Sequence, residues 1–279
     1  AGKTTTINLL TPLLPIDGGR ATVAGYDVSA EPDDGRRNIG LAGQSAAVDE
    51  KLTVRQNLDL FGRLYHLPSA QRTARVDSLI ERFDMREYAD RLAETLSGGQ
   101  RRRLDLVAAL IAEPPAVFLD EPTTGLDPRG RLAIWQEIRA IRAGGTAVVL
   151  TTQYLEEADQ LADRILVIDG GAVVAEGTSP ELKARLGRDV LEMTVADAIR
   201  LAAARDVVGV DRAVVIDEQT LHVVVTGPAD SLAALRRVDE AGIALSDFQL
   251  RRPTLDDVFI EITGQVDGPD RSTEERMIA

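Results

Sequence analysis

Two stretches of this chain carry residue types from which chemistry could be built. Leu96-Ser97-Gly98-Gly99-Gln100 is a glycine-bearing turn ahead of a helical pattern. Ala116-Val117-Phe118-Leu119-Asp120-Glu121 is an apolar run that ends in two carboxylates. A Ser-Gly-Gly turn at a helix N-terminus suits an anion: its first N–H groups have no helical partner, the dipole is positive there, and glycine allows close approach. A buried strand ending in Asp-Glu suits a hard cation and a reacting water. Asp120 can hold magnesium through water, and Glu121 can take the proton of an attacking water. Adjacent strand residues point to opposite faces, so separate tasks are expected of the two carboxylates.

The chain opens on Ala1-Gly2-Lys3-Thr4-Thr5. Gly-Lys-Thr is the end of the phosphate-loop pattern G-x-x-x-x-G-K-[ST]. The pattern's first glycine and its feeding strand are absent from the sequence, so an N-terminal truncation within that loop is expected. Ile39 to Gln44 reads as a strand ending in a polar residue. The Gln44 amide can hydrogen-bond a metal-bound or nucleophilic water; the plain alternative is a solvated loop amide. Arg101, Arg102 and Arg103 follow the Ser-Gly-Gly turn, where the helix dipole disfavours cations. Either an anionic or acidic partner lies near them, or they are solvated.

The elements that must position these residues follow from periodicity. Ile7, Leu10 and Leu14 recur at helical spacing behind Lys3. Residues 53–97 read as a helical block. There Thr53 caps a helix with Val54, Leu58, Phe61 and Tyr65 on one face; a second helix carries Val76, Leu79, Ile80 and Phe83. Leu104, Val107, Ala108 and Ile111 give the helix after Gly99 one buried face. Ala116 to Leu119 is continuously apolar, as a strand covered on both faces is. A helix from Pro128 is expected to turn Leu132, Trp135, Ile138 and Ile141 inward, and Thr146 to Leu150 is the next core strand. Ile165–Ile168 and Val173–Ala175 form a hairpin, and Ser179-Pro180 starts a helix with Ser179 as its cap. From Arg188 the pattern becomes βαββαβ, the ferredoxin-like order, without a catalytic constellation. Thr254-Leu255-Asp256-Asp257 has the form of a capping box opening a last helix. The expected organisation is a domain over residues 1–186, with its helical block at about 53–97, an accessory α+β domain over 188–264, and a disordered tail over 265–279.

Composition narrows the function. Net charge is −13, with 32 Lys and Arg against 45 Asp and Glu, which argues against nucleic acid as a partner. Aromatics are 4%, too few for a base-stacking platform. There is no cysteine and there are two histidines, His66 and His222, so thiol chemistry and a histidine-built zinc site are not expected. No apolar run reaches the ~20 residues of a membrane helix, and the opening residues do not read as a secretory leader. A cytosolic placement is expected, with membrane contact only through a partner.

Gly2-Lys3-Thr4-Thr5, Gln44, Leu96 to Gln100, Leu119-Asp120-Glu121-Pro122, Gly125-Leu126-Asp127 and Thr151-Thr152-Gln153 occur in an order that resembles an ABC transporter ATP-binding subunit. Thr151 to Asp159 and Pro253 to Phe259 look more narrowly like the daunorubicin-resistance drug-export group. The resemblance implies an α/β P-loop NTPase core with a helical subdomain, and an ATPase using ATP and Mg2+. It implies two copies closing head to tail on two ATP molecules and driving a membrane permease, at the cytoplasmic face of the membrane. It further implies that Ala1, Gly2, Lys3, Thr4 and Thr5 hold phosphates, and that Thr4, Gln44 and Asp120 serve the magnesium. Glu121 would activate the water. Leu96, Ser97, Gly98, Gly99 and Gln100 of the other copy would close over the γ-phosphate, and Asp127 would lie across the dimer interface. The family's switch position is usually histidine; here it is Gln153, which can donate a hydrogen bond but not titrate near neutral pH. The rival readings are a non-transport ABC ATPase and a catalytically weak ATP-sensing module.

Overall fold

A computed structural model describes residues 2–43, 48–186 and 189–264 of the 279-residue chain. Ala1, Gln44 and the expected tail at 265–279 lie outside the described residues. The chain divides into two compact units, 1–161 and 162–279. The expected boundary at 186–188 falls inside the second unit.

In the first unit, α1 (Lys3–Leu10) precedes the short strands β1 (Thr22–Val23) and β2 (Tyr26–Asp27), then α2 (Pro32–Arg37) and β3 (Ile39–Ala42). The helical block holds α3 (Val54–Leu64) and α4 (Ser69–Arg82). After it come α5 (Gly98–Ala108), β4 (Ala116–Asp120), α6 (Pro128–Ala143), β5 (Ala147–Thr151) and α7 (Leu155–Leu161). Strands β3, β4 and β5 pair in parallel with β4 in the centre, and Asp120 stands opposite Thr151. Every residue of β4 is buried, and its two faces split by the period of 2. Ala116 and Phe118 pack with Ile7 and Ile39; Val117 and Leu119 pack into the main core with Leu58, Leu79, Leu104 and Ile138. Asp120 continues the Ala116–Phe118 register, toward the layer that contains α1.

Thr53 caps α3 through a capping box with Gln56, as its position suggested. Three expectations are corrected. Leu14 lies past the end of α1 and is 44% exposed. Leu132 is 54% exposed, because the buried stripe of α6 runs through Ile134, Trp135, Ile138 and Ile141 and Leu132 sits about 200° round the helix from Ile134. Ile111 is buried although α5 ends at Ala108.

The second unit opens on the hairpin β6 (Ile165–Asp169) and β7 (Ala172–Gly177), followed by α8 (Ser179–Leu186). Thr178, not Ser179, caps α8: its hydroxyl accepts the Glu181 N–H at 3.3 Å, and Glu181 accepts the Thr178 N–H at 2.8 Å. Then come β8 (Asp189–Val195), α9 (Leu201–Val208), β9 (Ala213–Val215), β10 (Thr220–Val225), α10 (Pro228–Glu240), β11 (Leu245–Arg251) and α11 (Leu255–Gly264). The sheet order is β11-β8-β10-β9 with every pairing antiparallel, the ferredoxin-like arrangement expected from the βαββαβ order. Leu191, Met193, Leu221 and Val223 face the helices α9 and α10 and their buried Ala204, Ala234 and Val238.

Candidate active site

The C-terminal end of β4 is where the chemistry-bearing side chains meet. Gly2 takes φ +94° as the cap of α1, a conformation glycine adopts without a Cβ clash. Lys3 and Thr4, in the first turn, then face the strand end. The Thr4 hydroxyl donates to Asp120 Oδ1 at 3.3 Å, and the Thr151 hydroxyl donates to the same oxygen from the neighbouring strand. Lys3 Nζ donates to the Thr152 carbonyl at 3.0 Å and lies 3.8 Å from Glu121 Oε1. Asp120 is 4% exposed.

Glu121 does not continue the strand. Its φ is +49°, a left-handed conformation that costs a non-glycine residue about 1–3 kcal/mol unless its surroundings impose it. The surroundings do so here. The Glu121 N–H donates to the Thr151 carbonyl at 3.0 Å and to the Thr151 hydroxyl at 3.2 Å. The Thr124 hydroxyl donates to Glu121 Oε2 at 3.0 Å and orients the carboxylate. The two acids therefore have separate surroundings, as expected, but it is the backbone turn at Glu121 rather than strand alternation that separates them.

The Ser97 turn stands apart from this group. Ser97 and Gln100 form a capping box, with Gln100 N–H to Ser97 Oγ at 3.3 Å and Ser97 N–H to Gln100 Oε1 at 3.0 Å. Leu96 is the extended residue before it, partly buried against the core. Gly98 and Gly99 have nothing within 4 Å of where a Cβ would be. Asp127 caps α6 by accepting the Gly130 N–H at 2.9 Å. Gln153 and Thr5 are exposed. Among the described residues, no hydrogen bond or ion pair joins Ser97, Gln100, Asp127 or Gln153 to Lys3, Asp120 or Glu121.

The three arginines are not solvated. Arg101 pairs with Glu50 at 2.6 Å and Arg103 with Glu137 at 3.3 Å. Arg102 turns into the unit, its side chain 12% exposed, and meets Asp105 at 3.2 Å. Burial lowers its pKa, against the pull of Asp105, Asp120 and Glu157. Sequence reasoning missed Thr124, Thr151 and Arg102 as parts of this site. A threonine at the end of the strand beside Asp120 was the available signal for Thr151.

Residues 1–124 match the ABC transporter family, and residues 177–263 match the family described as ATP-binding protein DrrA1-3-like, C-terminal domain. The chain is 52% identical over 266 residues to the daunorubicin resistance ATP-binding protein DrrA3 of Streptomyces coeruleorubidus, covering 95% of this chain and 84% of that protein. It belongs to the ABC ATP-binding proteins. A second member, the daunorubicin/doxorubicin resistance ATP-binding protein DrrA of Streptomyces peucetius, is 47% identical over 279 residues, covering 99% of this chain and 84% of that one. The fold is similar to a solved dimeric ATP-binding cassette in a post-hydrolysis state bound to ADP and Pi. Their TM-score is 0.56 at 26% identity, over 63% of this chain and 80% of that chain. The ABC ATPases hydrolyse ATP as a family, and the P-loop core with a ferredoxin-like accessory fold is the architecture this member has. No helix among the described residues is long and apolar enough to cross a membrane.

Proposed function

We propose that the chain is the ATP-hydrolysing subunit of an ABC exporter of drugs or antibiotics, working as a head-to-tail dimer against an integral membrane permease at the cytoplasmic face of the membrane. The observation that carries hydrolysis is the convergence of Lys3 and Thr4 on Asp120 and Glu121 at the C-terminal end of β4, where open parallel sheets bind ligands. In this reading the segment Ala1 to Thr5 holds the phosphates, with the Lys3 ammonium on the β- and γ-oxygens.

Thr4 and Asp120 present two hard oxygens, the donor chemistry that magnesium takes together with waters and phosphate oxygens. Among the described residues no group of three or more His, Cys, Asp or Glu is placed to hold a metal by itself; in this reading nucleotide oxygens and water would complete the coordination. Bound there, magnesium would offset charge on the phosphate oxygens. Glu121 takes the proton of the attacking water, with the Thr124 hydroxyl fixing which oxygen is free to do so. Gln44 would hydrogen-bond a water on the metal side, and Gln153 would donate to the γ-phosphate.

Support for two copies comes from the Ser97 turn. It is an exposed helix N-terminus whose glycines leave open space, and among the described residues no hydrogen bond or ion pair links it to Lys3 of its own chain. We place Leu96 to Gln100 of one copy over the γ-phosphate held by the other, with Asp127 at the same interface. Support for export comes from relatives whose names specify drug resistance.

Glu121→Gln tests the reading. The variant is expected to lose hydrolysis and to accumulate as an ATP-bound dimer by gel filtration; hydrolysis at the wild-type rate would remove Glu121 from the base role. Co-purification with a multi-span membrane protein encoded beside it is the expected sign of the transporter, and activity with no such partner would point to a non-transport ATPase. Gln153, where histidine is usual, favours a second reading as a slow ATP sensor. A turnover rate near zero with intact ATP binding would decide for it.

A further inference from the structure

The guanidinium of Arg102 is spent entirely on its own chain. Its Nε donates to the Pro122 carbonyl at 2.8 Å, Nη1 to the Gly43 carbonyl at 2.5 Å and to Asp105 at 3.2 Å, and Nη2 to the carbonyls of Asp120 at 3.1 Å and Glu121 at 3.3 Å. An arginine has five N–H donors in a rigid fork, and five acceptors surround this one. Near the N-terminal end of α5 the dipole opposes a cation, and burial opposes it further. Asp105, 2% exposed, supplies the compensating charge. Packing alone does not call for so costly a group. Besides Asp105, its acceptors are four backbone carbonyls: three consecutive ones around Glu121, and that of Gly43, the residue before Gln44.

We infer that Arg102 is a positioning residue that couples the Ser97 turn of a chain to the water-activating carboxylate of the same chain. The inference rests on the function proposed above. Ser97 and Gly98 begin the helix that carries Arg102, so a shift of that turn moves the guanidinium with it. The guanidinium grips the carbonyls of Asp120 and Glu121, where the left-handed φ of Glu121 turns the backbone out of the strand. It also grips Gly43, which leads into Gln44. A γ-phosphate docking on the turn of one copy therefore sets the base that serves that copy's own, different ATP. One arginine joins the two sites of the dimer through a single chain.

The test compares Arg102→Gln and Arg102→Lys with Glu121→Gln in the intact protein, reading ATPase kcat and KM, thermal unfolding, and ATP-dependent dimerisation. Arg102→Gln is expected to lower kcat about 10–100-fold, the scale of a misplaced catalytic group, with KM changed less than about threefold. Arg102→Lys keeps the charge but not the fork; it is expected to unfold near the wild-type temperature and still lose about tenfold or more in kcat. In the double variant Arg102→Gln/Glu121→Gln, the ATP-bound dimer is expected to persist, since the base and not nucleotide binding is what Arg102 serves. A kcat within twofold of wild type for well-folded Arg102→Lys overturns the inference, whether or not Arg102→Gln folds. So does a loss confined to KM. Wild-type hydrolysis by Glu121→Gln would instead overturn the underlying function, so the two failures are distinguishable.

Discussion

Both compact units bury an aspartate, Asp120 in one and Asp257 in the other, and they satisfy it in different ways. Asp257 stands in the first turn of α11, 8% exposed. Arg251 from β11 reaches it at 2.5 and 2.9 Å, His222 from β10 at 3.1 Å, and the Thr254 N–H and hydroxyl at 2.7 and 2.9 Å. Glu192 from β8 takes the other sides of His222 at 3.0 Å and of Arg251 at 3.3 Å. An arginine, a histidine and two carboxylates close on one another, and the cluster pins α11 to three strands. The Asp120 carboxylate, by contrast, accepts from the hydroxyls of Thr4 and Thr151, and among the described residues it makes no ion pair. Hydroxyls orient a carboxylate without occupying it as an ion-pair partner would, which leaves Asp120 available to a cation that comes from outside. A charge cluster that closes on itself braces a fold; one left open on one side is available to a ligand.

That contrast can be broken at either end. The largest effect is expected at the open site. Glu121→Gln should reduce kcat by about 10²–10⁴ while leaving the urea midpoint close to wild type, because the side chain's ion pair with Lys3 is long and partly exposed. The closed cluster should show the reverse. Asp257→Ala leaves the Arg251 guanidinium and the His222 ring short of a partner and should cost about 3–5 kcal/mol in urea unfolding. Equal stability loss in the two variants would erase the distinction between site and brace.

A smaller effect comes from pH. Burial would raise the Asp257 pKa, but hydrogen bonds from His222, Arg251 and Thr254 outweigh it and hold the carboxyl well below the usual carboxylate range. A depressed folded-state pKa contributes stability that is fully present above the unfolded value of about 4 and is lost as pH falls below it. Urea midpoints measured from pH 7 down to pH 3 should therefore fall more steeply below pH 4 for wild type than for Asp257→Asn. Parallel curves would show that Asp257 contributes no pH-dependent stability over this range. The smallest effect concerns Gln153. Its amide has no proton to lose near neutrality, so the ATPase pH profile should contain no limb near pH 6.5 that disappears in Gln153→Ala. Such a limb would contradict its assignment as a non-titrating switch.

Much of the open site was legible in the sequence because its parts are local patterns. Gly2-Lys3-Thr4 names a helix start, Ser97-Gly98-Gly99 another, and an apolar run before Asp120-Glu121 names a strand end. The buried face of α4 was legible for the same reason, since Val76, Leu79, Ile80 and Phe83 share one stripe. The closed cluster was not. Glu192, His222, Arg251 and Asp257 come from four separate elements, and only the pairings His222↔Glu192 and Arg251↔Val190 across antiparallel strands bring them together. The sequence shows a capping box at Thr254–Asp257, and the structure keeps it; that Asp257 also holds an arginine and a histidine was not in the pattern. Leu132 shows the opposite failure. Its spacing to Trp135 is helical, yet the core lies on the stripe through Ile134.

The sequence by itself determined which residues could meet a phosphate, a metal and a water, and the order of strands and helices that carry them. Residue type and spacing decide these, because a glycine turn, a cap or an apolar strand is set by its own few neighbours. Only the tertiary structure decided that Asp120 is flanked by two threonine hydroxyls, that Glu121 leaves its strand in a left-handed turn, and that Arg102 points inward. Each depends on which distant carbonyls and hydroxyls are left without partners once the sheet has closed. For Arg102 those are the carbonyls of Gly43, Asp120, Glu121 and Pro122, and a buried guanidinium settles where they are.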